Sequence, residues 1–203
     1  MQCKCPSCGA EFNCEMNEIT SCWCNAMPNI VPLDSKECLC QKCLTCKIAE
    51  LQKINISVHD SVFNKLQNLK SNTPPLFGKM TAQHMIEHLI LAISFSNGKS
   101  LQPLMVDERV AKTIRHYTIN TDKEMSIGFK APMLTNDLVP LSYSDLSEAI
   151  EYLKIELHDF DLYFEKNPDS KPISPVIGEL NHQEWMIFHN KHFTHHFKQF
   201  GLI

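Results

Sequence analysis

The sequence contains no strongly basic stretch. Its 19 lysine and arginine residues are outnumbered by 23 aspartate and glutamate residues, so the formal net charge is −4. Proteins that bind nucleic acids neutralise phosphate groups with a clustered positive surface. We therefore predict that this protein has no nucleic-acid partner.

A long apolar run is also missing. The longest begins at Met85 and ends at Ile93, but Glu87 and His88 interrupt it, and a membrane-spanning helix needs about 20 apolar residues. The residues that follow Met1 do not form the apolar core of a signal peptide. We predict no membrane partner and a cytoplasmic location, where clustered cysteines more often bind metal than form disulfides.

Cysteine is absent from residues 47–203, whereas all ten cysteines lie within residues 3–46. This distribution predicts a cysteine-rich zinc-binding module at residues 1–46, a linker at 47–54 and a helical domain at 55–203. A module this short cannot bury a sufficient hydrophobic core, so it needs a metal or a covalent staple.

Two pairs of cysteines have the Cys-x-x-Cys spacing, Cys5 with Cys8 and Cys40 with Cys43. In such a turn two thiolates point at one ion, and two turns complete a tetrahedral zinc site. A second set of four thiolates is available from Cys14, Cys22, Cys24 and Cys38. The pairing stays open, since Cys46 also has this spacing with Cys43 and Cys3 lies outside both sets. A disulfide scaffold and a redox dithiol are the alternatives.

The same segment contains two uncommon tripeptides, Cys22-Trp23-Cys24 and Cys38-Leu39-Cys40. With them, residues 3–45 closely resemble the cysteine-rich CWC family of small bacterial modules. A site closed by four cysteines has no position open for chemistry. We therefore interpret this zinc-ribbon-like module as a structural or interaction element.

Apolar periodicity and stop signals predict four helices in the rest of the chain. They lie near Ser57–Leu69, from Thr81 to Ser96, from just after Ser144 to Lys166, and from Gln183 to Phe200. The connection at residues 97–141 is compatible with one more short helix near Asp107–Ile114. An all-α bundle with a crossover suits this order, and so long a connection commonly covers or completes a site.

Histidines are concentrated on two of the predicted helices. His84 and His88 lie four residues apart and share one face of the second helix. On the last helix His189, His192 and His196 fall on one stripe with Trp185 and Gln199. His192 and His196 can bind one metal ion together, with a third ligand from His88 or His84. Three histidines leave coordination positions open, where a bound water or thiol would have a lowered pKa.

Two longer motifs carry a further resemblance. Pro75–Leu89 reads Pro-Leu-Phe-Gly-Lys-Met-Thr-Ala-Gln-His-Met-Ile-Glu-His-Leu, and Lys191–Leu202 reads Lys-His-Phe-Thr-His-His-Phe-Lys-Gln-Phe-Gly-Leu. Residues 55–203 thereby resemble the DinB/YfiT-like four-helix superfamily, although Phe197-Lys198 stands where that superfamily often has Arg-Gly. The resemblance implies an up-down four-helix bundle with a divalent metal, such as zinc or nickel. The ligands it implies are His88, His192 and His196.

These patterns support two functional hypotheses. The first is an enzyme, a metal-dependent thiol transferase or hydrolase that acts on a small electrophilic substrate with a low-molecular-weight thiol or water. Glu87 and His189 are its candidates for proton transfer. The second is a zinc-stabilised, non-catalytic binding or interaction protein whose bundle metal site is structural or vestigial. In either case His84 and His189 are interpreted as supporting the metal ligands from behind or as lining the pocket, and His195 as an outer hydrogen-bond partner. A homodimer stays open.

Overall fold

The structure is a computed structural model that describes residues 2–13, 23–27, 38–128 and 138–203. These residues form a mainly helical protein with two compact units, Met1–Lys53 and Ile54–Ile203. The helices are α1 Gln41–Leu51, α2 His59–Leu66, α3 Ala82–Ser94, α4 Glu108–Ile119, α5 Leu146–Lys166 and α6 His182–Gln199. The strands are β1 Gln2–Lys4, β2 Glu11–Asn13, β3 Ile173–Ser174 and β4 Gly178–Glu179.

The first unit contains a small antiparallel hairpin, in which β1 pairs with β2 and Cys3 lies opposite Phe12. Its turn is closed by two backbone hydrogen bonds, from Cys5 N–H to Ala10 O at 2.8 Å and from Gly9 N–H to Cys5 O at 2.8 Å. Gly9 has a φ of +74°, a conformation that glycine adopts without steric cost. A short 3₁₀ helix, Trp23–Ala26, follows along the described part of this unit.

Helix α1 lies partly where a linker was expected. Residues 47–54 were predicted to be a connection, whereas α1 continues to Leu51. Leu44, Ile48 and Leu51 recur at helical spacing, and Ile48 is buried. The cysteines among them hid this periodicity, because a thiol can be read equally well as a metal ligand or as a small apolar residue.

Helices α3, α4, α5 and α6 of the second unit begin at side-chain caps, whereas no side chain caps the start of α2. The Asn181 side chain accepts a hydrogen bond from Glu184 N–H at 3.0 Å, and Glu184 completes a reciprocal capping box. Helices α2, α3, α5 and α6 lie close to the four predicted helices. The other N-terminal caps are Thr81 for α3, Asp107 for α4 and Asp145 for α5.

Helix α4 extends to Ile119, beyond the short helix predicted near Asp107–Ile114. It packs against α6, and Arg115 fixes this contact. Its guanidinium donates to Glu179 O at 2.7 Å and pairs with the Glu184 carboxylate. Part of the long connection at 97–141 is therefore an ordered wall against α6, while residues 129–137 lie outside the described residues.

A continuous apolar core holds the second unit together. Helix α3 packs against both α5 and α6. The incoming chain is tied to α6, because Ile54 N–H donates to Thr194 Oγ1 at 2.8 Å and Ile56 N–H donates to Asn190 Oδ1 at 2.9 Å. The largest fully buried side chains include Trp185, Phe160, Phe193, Phe197, Leu89, Ile93, Leu153 and Leu157.

No helix in the described part of the chain combines the length and the apolar character needed to cross a membrane.

Candidate metal centres

Four cysteine thiols converge in the first unit. Cys5 and Cys8 lie in the turn between β1 and β2, while Cys40 and Cys43 lie at the start of α1. The four sulfur atoms are all within 4.8 Å of one another, and Cys8 Sγ lies 3.7 Å from Cys40 Sγ. Four sulfurs at tetrahedral positions around zinc would be about 3.8 Å apart. The two predicted Cys-x-x-Cys turns are thus placed to hold one metal ion.

The thiols in this group influence one another strongly. The backbone N–H of Cys40 is the main cause that lowers the pKa of Cys5, to about 6. For Cys43, Ser7 lowers the pKa, but the adjacent thiols of Cys8 and Cys40 raise it to a net value of about 12. Thiols this close oppose each other's ionisation, and a divalent cation among them removes that opposition.

The remaining cysteines do not join this group. All eight cysteines that the structure describes are thiols and none forms a disulfide. Cys24 and Cys38, two members of the predicted second set, belong to no metal-binding group among the described residues. Their predicted partners Cys14 and Cys22 lie outside the described residues, so the second set stays a prediction.

Three histidines converge in the second unit, where His88 of α3 faces His192 and His196 of α6. His88 Nε2 lies 2.9 Å from His192 Nε2, which lies 3.1 Å from His196 Nε2. Three nitrogens bound to one tetrahedral ion at about 2.1 Å would be about 3.4 Å apart. A small outward movement of the rings would therefore admit an ion.

These histidines are also in the neutral state that binds a metal ion. Burial lowers the pKa of His88 to about 4 and that of His196 to about 3, and it lowers the pKa of His192 well below its usual value. All three rings are therefore neutral at pH 7, with a lone pair to offer. The buried Nδ1 of His192 has no hydrogen-bond partner among the described residues, so this ring has no second contact that holds its tautomer.

Gln199 orients one of the three rings. Its side-chain N–H donates to Phe77 O at 2.8 Å, which turns Gln199 Oε1 toward His196 Nδ1 at 2.8 Å. His196 must then carry its proton on Nδ1, and its Nε2 lone pair points at the other histidines. Gly78 makes room for this arrangement, because a Cβ there would lie 2.7 Å from Gln199 Nε2 and its φ is +79°. Gln199 lies on the histidine stripe predicted from the sequence, but no pattern in the sequence indicates this role.

Replacing Gln199 with leucine is expected to weaken metal binding at the histidine site by about 10- to 100-fold, the usual cost of losing a partner behind a metal ligand. A competition titration with a chelator measures the change. Gly78→Ala should weaken binding in the same direction, because the new methyl group displaces the Gln199 amide. The exposed Gln67→Leu is the control, and an equal loss in that variant would contradict the role of Gln199.

The two candidates for proton transfer have other contacts. The Glu87 carboxylate accepts hydrogen bonds from Ser142 N–H at 2.7 Å and Tyr143 N–H at 3.3 Å, so it joins α3 to the residues before α5. His189 is buried, and its Nε2 lies 2.9 Å from Ser96 Oγ. The Ser96 hydroxyl donates to Ile93 O at 2.7 Å. His189 therefore donates to Ser96, and burial lowers its pKa to about 3.

The other histidines near the site lie at its edge. His84 Nδ1 lies 2.6 Å from Thr81 Oγ1, at the N-terminal cap of α3. The His195 ring contacts the rings of Phe77 and His196, with centroids 5.3 and 5.1 Å away. Burial lowers the pKa of His195, while the backbone of Met125 raises it. Neither His84 nor His195 belongs to the three-histidine group.

A cavity of about 360 Å³ opens beside the three histidines, all of which line it. Its walls come from α3, α4, residues 123–126, the β3–β4 turn and α6, with Met80 ahead of α3. Trp185 is 1% exposed and also forms part of this wall. His84, Glu87 and His189 do not line the cavity. An ion at the histidines would therefore have an open side that faces a space of small-molecule size.

Comparison with protein families gives two matches. Residues 5–45 match the family described as cysteine-rich CWC, as the tripeptides predicted. Residues 48–201 match the family described as protein of unknown function DUF1569. Comparison with curated proteins and with solved structures gives no match.

Proposed function

The chain belongs to the DUF1569 family, and we propose that it is a metal-dependent enzyme that carries out thiol transfer or hydrolysis on a small electrophilic substrate. The observation that carries this proposal is a group of three neutral imidazole rings that line a cavity. His192 Nε2 lies 2.9 Å from His88 Nε2 and 3.1 Å from His196 Nε2. A ligand set that leaves coordination positions open toward a cavity is typical of a catalytic metal site, whereas a structural site is closed.

We assign the three-histidine ligands His88, His192 and His196 to a divalent ion, zinc or nickel. When bound, such an ion supplies Lewis acidity and lowers the pKa of a water or a low-molecular-weight thiol. The side chains of this chain hold and orient the ligands, since Gln199 fixes the tautomer of His196. The apolar walls around the site keep water away from the reacting groups.

We assign the four-cysteine group to a structural zinc ion in a zinc-ribbon-like module. Four thiolates fill a tetrahedral coordination shell, so this ion would stabilise its module and not take part in catalysis. A reduced, cytoplasmic compartment suits a site of this kind.

A further proposal concerns the fold of the second unit. We propose that α2, α3, α5 and α6 form an up-down four-helix bundle of the DinB/YfiT type, supported by the packing of α3 against α5 and α6 and by the two sequence motifs that meet at Gln199 and Phe77. The proposed partners are a small-molecule substrate and a low-molecular-weight thiol, with a homodimer as the alternative to a monomer. Neither nucleic acid nor membrane is among them.

Loading the metal-free protein with Co²⁺ tests the proposed function. We expect one ion per chain with the weaker bands of nitrogen ligands, in addition to the strong thiolate bands of cysteine-bound cobalt. Adding 2-mercaptoethanol should produce a new thiolate band from the open histidine site, because sulfur binds cobalt directly. The same addition to a His192→Ala variant is the control and should produce none.

Two results would count against the enzyme. If thiol leaves the nitrogen-ligand spectrum unchanged, the histidine site has no accessible position. If thiol binds but a panel of thiols and electrophiles gives no turnover, the non-catalytic binding protein becomes the better description. The absence of Glu87 and His189 from the cavity wall is the observation that favours that second candidate.

A further inference from the structure

We propose that the cavity binds a molecule with an apolar tail, whose polar head binds the metal at the three histidines. This inference rests on the proposed function and adds the class of substrate. It follows from the distribution of apolar and charged side chains around one cavity.

The walls of the cavity are predominantly apolar. Helix α3 contributes Leu91, and Phe95 directly follows that helix. Helix α4 contributes Ile114, the β3–β4 turn contributes Val176 and α6 contributes Phe188. These side chains come from four separate elements, so the apolar lining surrounds the space and is not a single exposed patch. Burying apolar ligand surface against such walls is favourable because it removes that surface from water.

The charged side chains at the cavity already have partners. Lys123 lies over the Tyr117 ring, with its Nζ 5.0 Å from the ring centroid. The Glu124 carboxylate accepts from Lys198 Nζ at 2.6 Å, and Lys191 Nζ donates to Thr121 O at 2.5 Å. A charged tail would have to compete for these groups. The three histidines therefore offer the strongest polar attraction for a ligand.

The volume limits the size of the ligand. At about 360 Å³ the cavity lies near the lower end of the range for small-molecule sites. One wall position, Ala92, lies one helical turn beyond His88 on α3 and has only a methyl side chain. A larger residue there would occupy space that the apolar tail of the ligand would otherwise fill, without replacing a metal ligand.

A series of alkyl hydroxamates tests the proposal in the full-length, Co²⁺-loaded protein. Hydroxamate binds the metal, and the tail lengthens from acetohydroxamate to butanohydroxamate and hexanohydroxamate. The change in the cobalt spectrum gives each dissociation constant. We expect affinity to rise about four-fold for each added methylene group until the cavity is full, as about 0.8 kcal/mol per buried CH₂ predicts.

Variants of wall residues test where the apolar tail of the hydroxamate binds. Ala92→Phe should bind acetohydroxamate like the wild type but lose most of the gain for hexanohydroxamate. Leu91→Asp, at a position that is 40% exposed and so tolerant of change, should reduce the same gain by placing a charge in the wall. Leu101→Asp is the matched control, because Leu101 is 80% exposed and does not line the cavity.

The outcomes separate this inference from the proposed function. If acetohydroxamate leaves the cobalt spectrum unchanged, the open metal site is wrong and so is the inference built on it. If all three hydroxamates bind equally, the metal site stands and the apolar tail is overturned. Tighter binding of a hydroxamate of equal length that ends in a carboxylate would also overturn the apolar class, since the wall would then prefer charge.

Discussion

Replacing His192 with alanine is expected to lower the metal content by about one ion per chain and to leave the cysteine-bound ion in place. His192 Nε2 is the central atom of the group, because it is 2.9 Å from His88 Nε2 and 3.1 Å from His196 Nε2. Without it the two remaining nitrogens cannot complete a three-nitrogen site. Elemental analysis of the purified variant, compared with the wild type, measures the loss.

The control for this variant must remove an imidazole without touching the site. His158 is exposed on α5 and belongs to no metal-binding group in the described chain, so His158→Ala should retain the full metal content. His88→Ala, at a less buried position than His192, should repeat the loss with less disturbance of the core. Circular dichroism verifies that the helices persist. Unchanged metal content in both site variants would contradict the histidine centre and the function proposed for it.

Helical periodicity predicted one part of this site, the pair on α6. His192 and His196 are four residues apart, so any helix through them places both rings on one face. The contact of this pair with His88 does not follow from periodicity, since His88 and His192 are 104 positions apart in the chain. Periodicity alone offered His84 as well as His88, and the resemblance chose between them. In the structure His84 contacts Thr81 at the start of α3, one turn away from the site.

The residues that sequence analysis missed act through long-range contacts. Gln199 and Phe77 are 122 positions apart in the chain, and no local sequence pattern predicts a contact between them. The wall supplied by α4 was anticipated only in part, as a short helix near Asp107–Ile114 in a connection that covers a site. Its position depends on long-range contacts, because Arg115 of α4 binds Glu179 O and the Glu184 carboxylate. Proton transfer by Glu87 stays a prediction, and in the structure its carboxylate accepts hydrogen bonds from the backbone N–H groups of Ser142 and Tyr143.

The mainly helical fold and the cysteine cluster were predicted correctly, and for different physical reasons. Long amphipathic helices such as α5 can be predicted from the spacing of their apolar residues and from their cap residues. The cysteine cluster was recognised from spacing alone, because a Cys-x-x-Cys turn places two thiols together whatever surrounds it. Helix α1 was not expected over residues 47–51, since its apolar stripe is short. The up-down order of the bundle and the relation to DinB-type proteins stay predictions.

Replacing Cys40 with serine is expected to remove the other ion and to unfold the first unit, while the second unit keeps its structure. Only Cys5, Cys40 and Ile48 are buried apolar residues among the described part of Met1–Lys53. Two of these three are themselves in the four-thiol group. The described residues of this unit therefore offer almost no core apart from the metal site, and zinc contributes about 10–16 kcal/mol to the folding of comparable small modules.

Limited trypsin digestion of the full chain measures the result, because this unit contains Lys4, Lys42 and Lys47 as cleavage sites. Cleavage there should become much faster in Cys40→Ser and also in wild type treated with a strong chelator. Cys46→Ser is the matched control, since Cys46 is an exposed thiol of the same helix that lies outside the group. Equal sensitivity of both variants, or a Cys40→Ser protein that keeps its ion and its resistance, would contradict a metal-dependent fold. Because each unit has its own ligands, the His192 and Cys40 variants should each remove one ion and spare the other.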